Sequence, residues 1–261
     1  MTEWEALDEI KNMTSPNQML WSLIYRKLKA NRGNTMITIY EAERLTQLIR
    51  NKNNRIEMDY QNKVLSFDVS AQKIVCLNDE QVPYAGRQET INLLPRLVAK
   101  YKAGHSFESH LQAYITKNLG KGTNKGLDEV ILDTARIEWL GNEVSCGVGM
   151  QRIDIMPSAI RNEQRIVIPI ELKAVEADER NVIQIQRYID WIDQYYIPNR
   201  QSDIEPVLVA RRIADKQSSN YQKLIDSFNH FNQINVKRCT RLKFVEYELT
   251  HNDLEFKEEK Y

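Results

Sequence analysis

Cysteine is scarce in this chain: Cys76, Cys146 and Cys239 are the three in 261 residues, far apart and without Cys-x-x-Cys spacing. An odd, scattered set indicates neither a disulfide framework nor a zinc site. Histidine is equally sparse; of His105, His110, His230 and His251, only the first two are near each other, flanking Glu108 without having to face it. No apolar run is long enough to span a bilayer. The start, MTEWEALDEIKN, is acidic and lacks the basic and apolar regions of a signal peptide, so the expected location is the cytoplasm. There is also no net charge, because 36 Lys and Arg balance 36 Asp and Glu. Any polyanionic partner must therefore meet a local basic surface rather than a global field. No internal repeat or low-complexity segment is present, and the apolar share, 42%, is enough for a real core.

What the chain does have is concentrated between Asp154 and Lys173. In Arg152-Ile-Asp-Ile-Met156, strand alternation sends Ile153 and Ile155 to one face and Asp154 to the other. In the following run, Ile166, Ile168, Ile170 and Leu172 share a face, while Val167, Pro169, Glu171 and Lys173 share the opposite one. The two runs read as a hairpin that aims two carboxylates and an ammonium at one place. Such a group is costly to hold together without a cation or a polyanionic substrate. Magnesium prefers oxygen and is commonly held by one or two carboxylates with waters and phosphate. Asp154 and Glu171 are the candidate ligands, with the backbone carbonyl of Leu172 as a third. Lys173 would orient the attacking water and stabilise charge on the phosphate.

Two neighbouring segments add to this constellation. In the helix expected after His105, Leu111 and Ile115 make an apolar stripe, and Glu108 falls on that stripe rather than opposite it. Glu108 is a candidate accessory metal contact; as a plain alternative it is a first-turn acid, with Ser106 as the cap. Downstream, Glu179 to Tyr196 reads as one amphipathic helix with Val182, Ile185, Ile189, Ile192 and Tyr196 as its core stripe. Gln184 and Tyr188 lie four apart on an adjoining face beside Arg187, where they could reach the metal's water network or a phosphate.

In order and content these residues resemble the PD-(D/E)xK nuclease superfamily: a helix with Glu108, a strand with Asp154, a strand with Glu171-x-Lys173, and a helix with Gln184-x-x-x-Tyr188. From about His105 onward the chain is most similar to the NucS/EndoMS endonucleases, with type II restriction enzymes as close competitors. The stretches Pro206–Ala210 and Leu242–Leu249 resemble later strands of that catalytic half. The resemblance implies a restriction-endonuclease-like, mixed α/β core, a central mixed sheet flanked by helices. It makes Asp154, Glu171 and Lys173 the catalytic trio, with Glu108 and Gln184 as accessory contacts. Ile153 stands where the superfamily name has Pro, and the first hundred residues do not read as the dimerising β-domain of NucS, so mismatch specificity is not implied.

Two parts are expected, a smaller α+β part over 1–103 and a nuclease domain over 104–261. In the first, helices are expected over Asn17–Ala30, Tyr40–Ile49 and Thr90–Lys102. A short strand is expected at Thr35–Ile37, and strands over Arg55–Leu77 joining near Tyr60-Gln-Asn-Lys. In the second, Leu119–Gly126 reads as a mobile loop, without Walker spacing, whose Lys121 and Lys125 are candidate DNA contacts along with Tyr188 and Arg187. Thr134–Val148 reads as a hairpin turning at Gly141-Asn142, and Tyr221–Phe231 as a helix. Further basic clusters are Arg211, Arg212 and Lys216, and Lys237, Arg238, Arg241 and Lys243.

The functional expectation is a magnesium-dependent endonuclease, with manganese able to substitute, acting on double-stranded DNA. A palindromic target would imply a homodimer. Two other readings stand beside it: a nuclease subunit of a defence or mobile-element complex that needs partner proteins, and a non-catalytic nucleic-acid binder with the same fold.

Overall fold

The computed structural model describes residues 36–52, 58–60, 63–68, 73–76, 92–146, 151–198, 200–250 and 253–261. The helix expected over Asn17–Ala30 lies outside them. The chain separates into two compact units, the described residues of 42–92 forming one and those of 36–41 and 93–261 the other.

The smaller unit carries a three-stranded antiparallel sheet, β1 (Met58–Tyr60), β2 (Lys63–Asp68) and β3 (Lys73–Cys76), in sequential order. The first turn is where Tyr60-Gln-Asn-Lys suggested it, since Tyr60 pairs with Lys63. Helix α1 (Ile39–Lys52) precedes it. Its start belongs to the larger unit, and here the expected strand at Thr35–Ile37 is corrected: Met36–Thr38 has no regular structure. Thr38 instead caps the helix. Its N–H donates to Glu41 Oε2 at 2.8 Å and its Oγ1 accepts from Glu41 N at 3.2 Å, a reciprocal capping box.

The larger unit is mixed α/β, an eight-stranded mixed sheet with helices on both faces. Helices α2 (Leu94–Lys102), α3 (Glu108–Asn118) and α4 (Lys125–Ile131) come first. Then follow β4 (Arg136–Ser145), β5 (Arg152–Arg161), β6 (Gln164–Val167) and β7 (Ile170–Leu172). Helix α5 (Glu179–Trp191) crosses over to β8 (Asp203–Ile204) and β9 (Val207–Arg211). Helix α6 (Ser219–Ile234), β10 (Lys243–Leu249) and β11 (Leu254–Glu259) complete it. The order is β11-β10-β9-β7-β5-β6-β8, with β4 on the other side of β5. The β7–β9 and β9–β10 pairs are parallel, while β5 is antiparallel to β4, β6 and β7.

Strand β5 thus has two partners along one edge. The hairpin to β6 turns at Asn162 and Glu163, with φ of 50° and 67°, the left-handed pair that a two-residue turn needs. The partner strand then breaks at Ile168-Pro169, because proline offers no N–H to the ladder. It resumes as β7 against the beginning of β5. Alternation survives the break. Ile155, Ile166, Ile168, Ile170 and Leu172 join one buried cluster with Leu97, Leu111, Ile115 and Leu127 of α2, α3 and α4. The opposite face is covered by α5 and α6, where Phe228 packs on Phe244 with ring centroids 5.3 Å apart.

Two further expectations are corrected. The hairpin at Gly141-Asn142 does not form; β4 runs straight through, and Ser145 pairs with Arg152 so that the connection is 146–151. The turn residues mark an irregularity instead. Glu143 holds φ of 46°, and a Cβ on Gly141 would lie 2.6 Å from Val144 Cγ2. Nor is Glu179–Tyr196 a single α-helix: α5 ends at Trp191 and Ile192–Tyr196 continues as a π-turn. The wider turn still buries Ile192 and Tyr196, so the core stripe is kept. Helix α4 and strand β11 are elements the sequence reading did not contain.

Candidate active site

The register that pairs Ile155 with Ile170 sets Asp154 across from Glu171 on the next rung. Both Ile side chains face the α3 cluster, so both acids turn to the α5 face. Directly opposed residues of this kind have Cβ atoms about 4.5–5.5 Å apart. Glu171 is fully buried. Asp154 is half-buried, and its Oδ2 accepts the Leu172 amide at 2.8 Å while Oδ1 has no hydrogen bond among the described residues. Lys173 Nζ lies 2.5 Å from Glu171 Oε1, its side chain 20% exposed at one side of the cluster.

Electrostatics follow from this crowding. Burial, then the charge of Glu171, pushes Asp154 well above the ordinary carboxylate range, against the pull of the Leu172 amide and Lys173. Burial likewise raises Glu171, opposed by Lys173 and by the hydrogen bond from Tyr188. Burial works against the charge on Lys173, but Glu171, Glu108 and Asp154 outweigh it and hold the ammonium above its usual value. Two acids made harder to ionise by burial, beside a lysine whose charge they favour, form a site that gains from an added cation.

Helices on both faces supply the surroundings. Glu108, in the first turn of α3, brings Oε2 to 3.4 Å from the Ala174 amide and so reaches the end of β7. Ser106 does not cap this helix; the N-cap is Phe107, without a side-chain bond. One turn on, the buried Gln112 donates from Nε2 to the Asp154 carbonyl at 2.7 Å. From α5, the Tyr188 hydroxyl lies 2.5 Å from Glu171 Oε2 and 2.7 Å from the Arg152 carbonyl, and Gln184 Nε2 donates to it at 2.7 Å. Burial and the two acids keep this phenol protonated, so it acts as a donor to Glu171.

Of the residues singled out in the sequence, Asp154, Glu171, Lys173, Glu108, Gln184 and Tyr188 come together. Leu172 contributes its N–H to Asp154. Tyr188 departs from the expected DNA contact: it is 1% exposed and holds a carboxylate instead. Arg187 is exposed on the same helix. Lys121 sits over the Tyr40 ring, 5.8 Å from its centroid, and Lys125 lines a separate cavity with Glu246, Glu248 and Asp253. No contact among the described residues joins either lysine to the carboxylate pair. Other basic clusters are tied to acids, Arg212 to Glu248, Lys216 to Glu246 and Glu259, and Arg238 to Asp190 and Asp193. Gln112 and Arg152 were missed. Gln112 follows Leu111 on the inward side of α3, and Arg152 shares the alternation of Asp154, so periodicity could have found both.

The donor set suits a hard cation better than a soft one. Among the described residues no group of three or more His, Cys, Asp or Glu side chains is placed to hold a metal ion. Magnesium does not need one, since one or two carboxylates suffice. Asp154 Oδ1 is available, and Glu171 is held in place from both sides. Cysteine chemistry is remote: Cys146 is buried, and burial pushes the Cys239 thiol up to about 11.

No protein-family model matches the chain, and no curated relative matches it. Among solved structures, SfsA of Pyrococcus furiosus in complex with Ca2+ is similar over 78% of this chain and 91% of that one. The identity is 13% and the TM-score 0.33.

Proposed function

We propose that the chain is a metal-dependent nuclease that hydrolyses phosphodiester bonds of double-stranded DNA. The observation that carries this reading is the opposed pair Asp154 and Glu171 with Lys173 on Glu171, at the junction of β5 and β7. The element order around them supports the likeness to PD-(D/E)xK nucleases: α3 with Glu108, β5 with Asp154, β7 leading into Lys173, and α5 with Gln184 and Tyr188.

In this reading Asp154, one of its oxygens fixed by the Leu172 amide, would be a ligand of the cation. Glu171 is the second carboxylate, oriented by Tyr188, and Glu108 and the Leu172 carbonyl complete the surroundings. Magnesium, when bound, would lower the pKa of a coordinated water and offset negative charge on the phosphate. Lys173 orients the attacking water and stabilises the phosphate oxygens as charge grows on them. The raised affinity of Lys173 for its proton suits that electrostatic role and not that of a general base.

The test is cleavage of plasmid DNA in Mg2+ and in Mn2+ by the wild-type protein and by Lys173→Ala, with ends sequenced. Discrete products from wild type alone, with the variant at least 100-fold slower and still folded, support the reading. It is overturned if wild type leaves plasmid, mismatched and branched duplexes intact in both metals, or if both proteins cut equally.

A further inference from the structure

Beside Tyr188 lies a cavity of about 330 Å³ lined by Arg152, Arg180, Gln184 and Arg187, with no acidic residue in its wall among the described residues. Arg180 is engaged by Asp178 at 2.6 Å. The other two arginines keep donors in reserve. Arg187 has no ion pair or hydrogen bond among the described residues, although it is exposed. Arg152 is 12% exposed and gives only Nη1 to Glu143, at 2.6 Å, while its Nη2 is buried without a hydrogen-bond partner among the described residues. A guanidinium carries five N–H donors, and leaving one nitrogen dry and unpaired is costly unless a ligand completes it.

The fold holds Arg152 there at some expense. Asn142 pairs with Ile155 and Val144 with Ile153, so Glu143 falls across from Asp154 on β4. It does so with φ of 46°, a conformation an L side chain adopts only at a cost, and its carboxylate is the group that clamps Arg152. Strain of this kind persists where the surroundings impose a particular geometry, and here that geometry presents an arginine. The Tyr188 hydroxyl, which donates to Glu171, also lies 2.7 Å from the Arg152 carbonyl. One residue therefore links the cavity to the carboxylate pair.

We propose that this cavity is an anion subsite that binds a phosphate group of the nucleic-acid strand next to the bond being cut. Arg152 and Arg187 are its cations, and Gln184 is its neutral hydrogen-bonding wall. Planar guanidinium groups suit bidentate contact with phosphate. The phosphate comes either from within the strand, as a phosphodiester, or from a 5′ end, as a monoester. The assignment rests on the nuclease reading but is tested by binding rather than by cutting.

The experiment measures fluorescence anisotropy of a labelled duplex with the full-length protein in Ca2+, over a series of salt concentrations. Wild type is compared with Arg187→Gln and Arg152→Gln, on one duplex with 5′-hydroxyl ends and one with 5′-phosphate ends. Each variant is expected to bind about 10-fold more weakly, with the salt slope reduced by about one phosphate contact. Equal loss on both duplexes assigns the subsite to an internal phosphodiester; loss confined to the 5′-phosphate duplex assigns it to a terminal monoester. Because Arg187 is exposed, its variant tests the site even if Arg152→Gln does not fold. Unchanged affinity and salt slope in folded Arg187→Gln, or no duplex binding by wild type, overturns the proposal. A wild type that cuts while the variants bind normally removes the subsite alone; variants that lose binding to a wild type that never cuts remove the nuclease reading alone.

Discussion

Asp154→Asn should make the metal-free protein more stable while abolishing cleavage. The substitution keeps an acceptor for the Leu172 amide and removes one of two opposed acids. Two full charges at the cross-strand spacing of about 5 Å repel by about 3 kcal/mol at an effective dielectric of about 20. Asn also forfeits the attraction to Lys173, which acts on Asp154 less strongly than the charge of Glu171, so the net gain should be about 1 kcal/mol. For a unit of this size that is a rise in Tm of about 2–4 °C. The pH dependence gives a second reading. Asp154 and Glu171 both hold their protons more tightly in the folded chain than in the unfolded one. Their favourable contribution is therefore complete below the ordinary carboxylate range and is lost as pH rises through the raised values. The advantage of the variant should vanish near pH 4 and grow toward neutrality. Adding Mg2+ should raise the Tm of wild type and not of the variant. The assay is thermal unfolding across pH 4–8 with and without Mg2+. A variant less stable than wild type at every pH, or one that Mg2+ stabilises equally, would refute the charge argument.

Tyr188→Phe removes the donor that favours ionised Glu171, so the acidic limb of the kcat/KM profile should move to higher pH and the maximal rate should fall about 10-fold. A profile identical to wild type would leave Tyr188 with a packing role only. Gly120→Ala should destabilise the protein by about 1–3 kcal/mol without altering the pH profile. Gly120 holds φ of 74°, and an added Cβ would lie 2.7 Å from Ile137 Cδ1, so denaturant unfolding should show the loss.

Strand alternation alone was sufficient to pair the faces around the site. Ile155 and Ile170 were separable from Asp154 and Glu171 because a residue's face in a strand depends only on parity, and the break at Ile168-Pro169 skips an even number of positions. The stripe of α3 announced Glu108, whereas the Thr38-x-x-Glu41 box, although local chemistry, went unread and a strand was expected at Thr35–Ile37 in its place. The Gly141-Asn142 signal was misread for another reason: glycine and asparagine specify a local bend, and whether that bend turns the chain or kinks a paired strand depends on β5. Periodicity could not say that β5 would divide its edge between β6 and β7, that α3 and α5 would meet the same strand end from opposite faces, or that Tyr188 would spend its hydroxyl on Glu171. Those arrangements join residues up to 66 positions apart, as Glu108 and Ala174 show. They are decided by which apolar faces can be buried together, a property of the assembled sheet and its two helical layers rather than of any one segment.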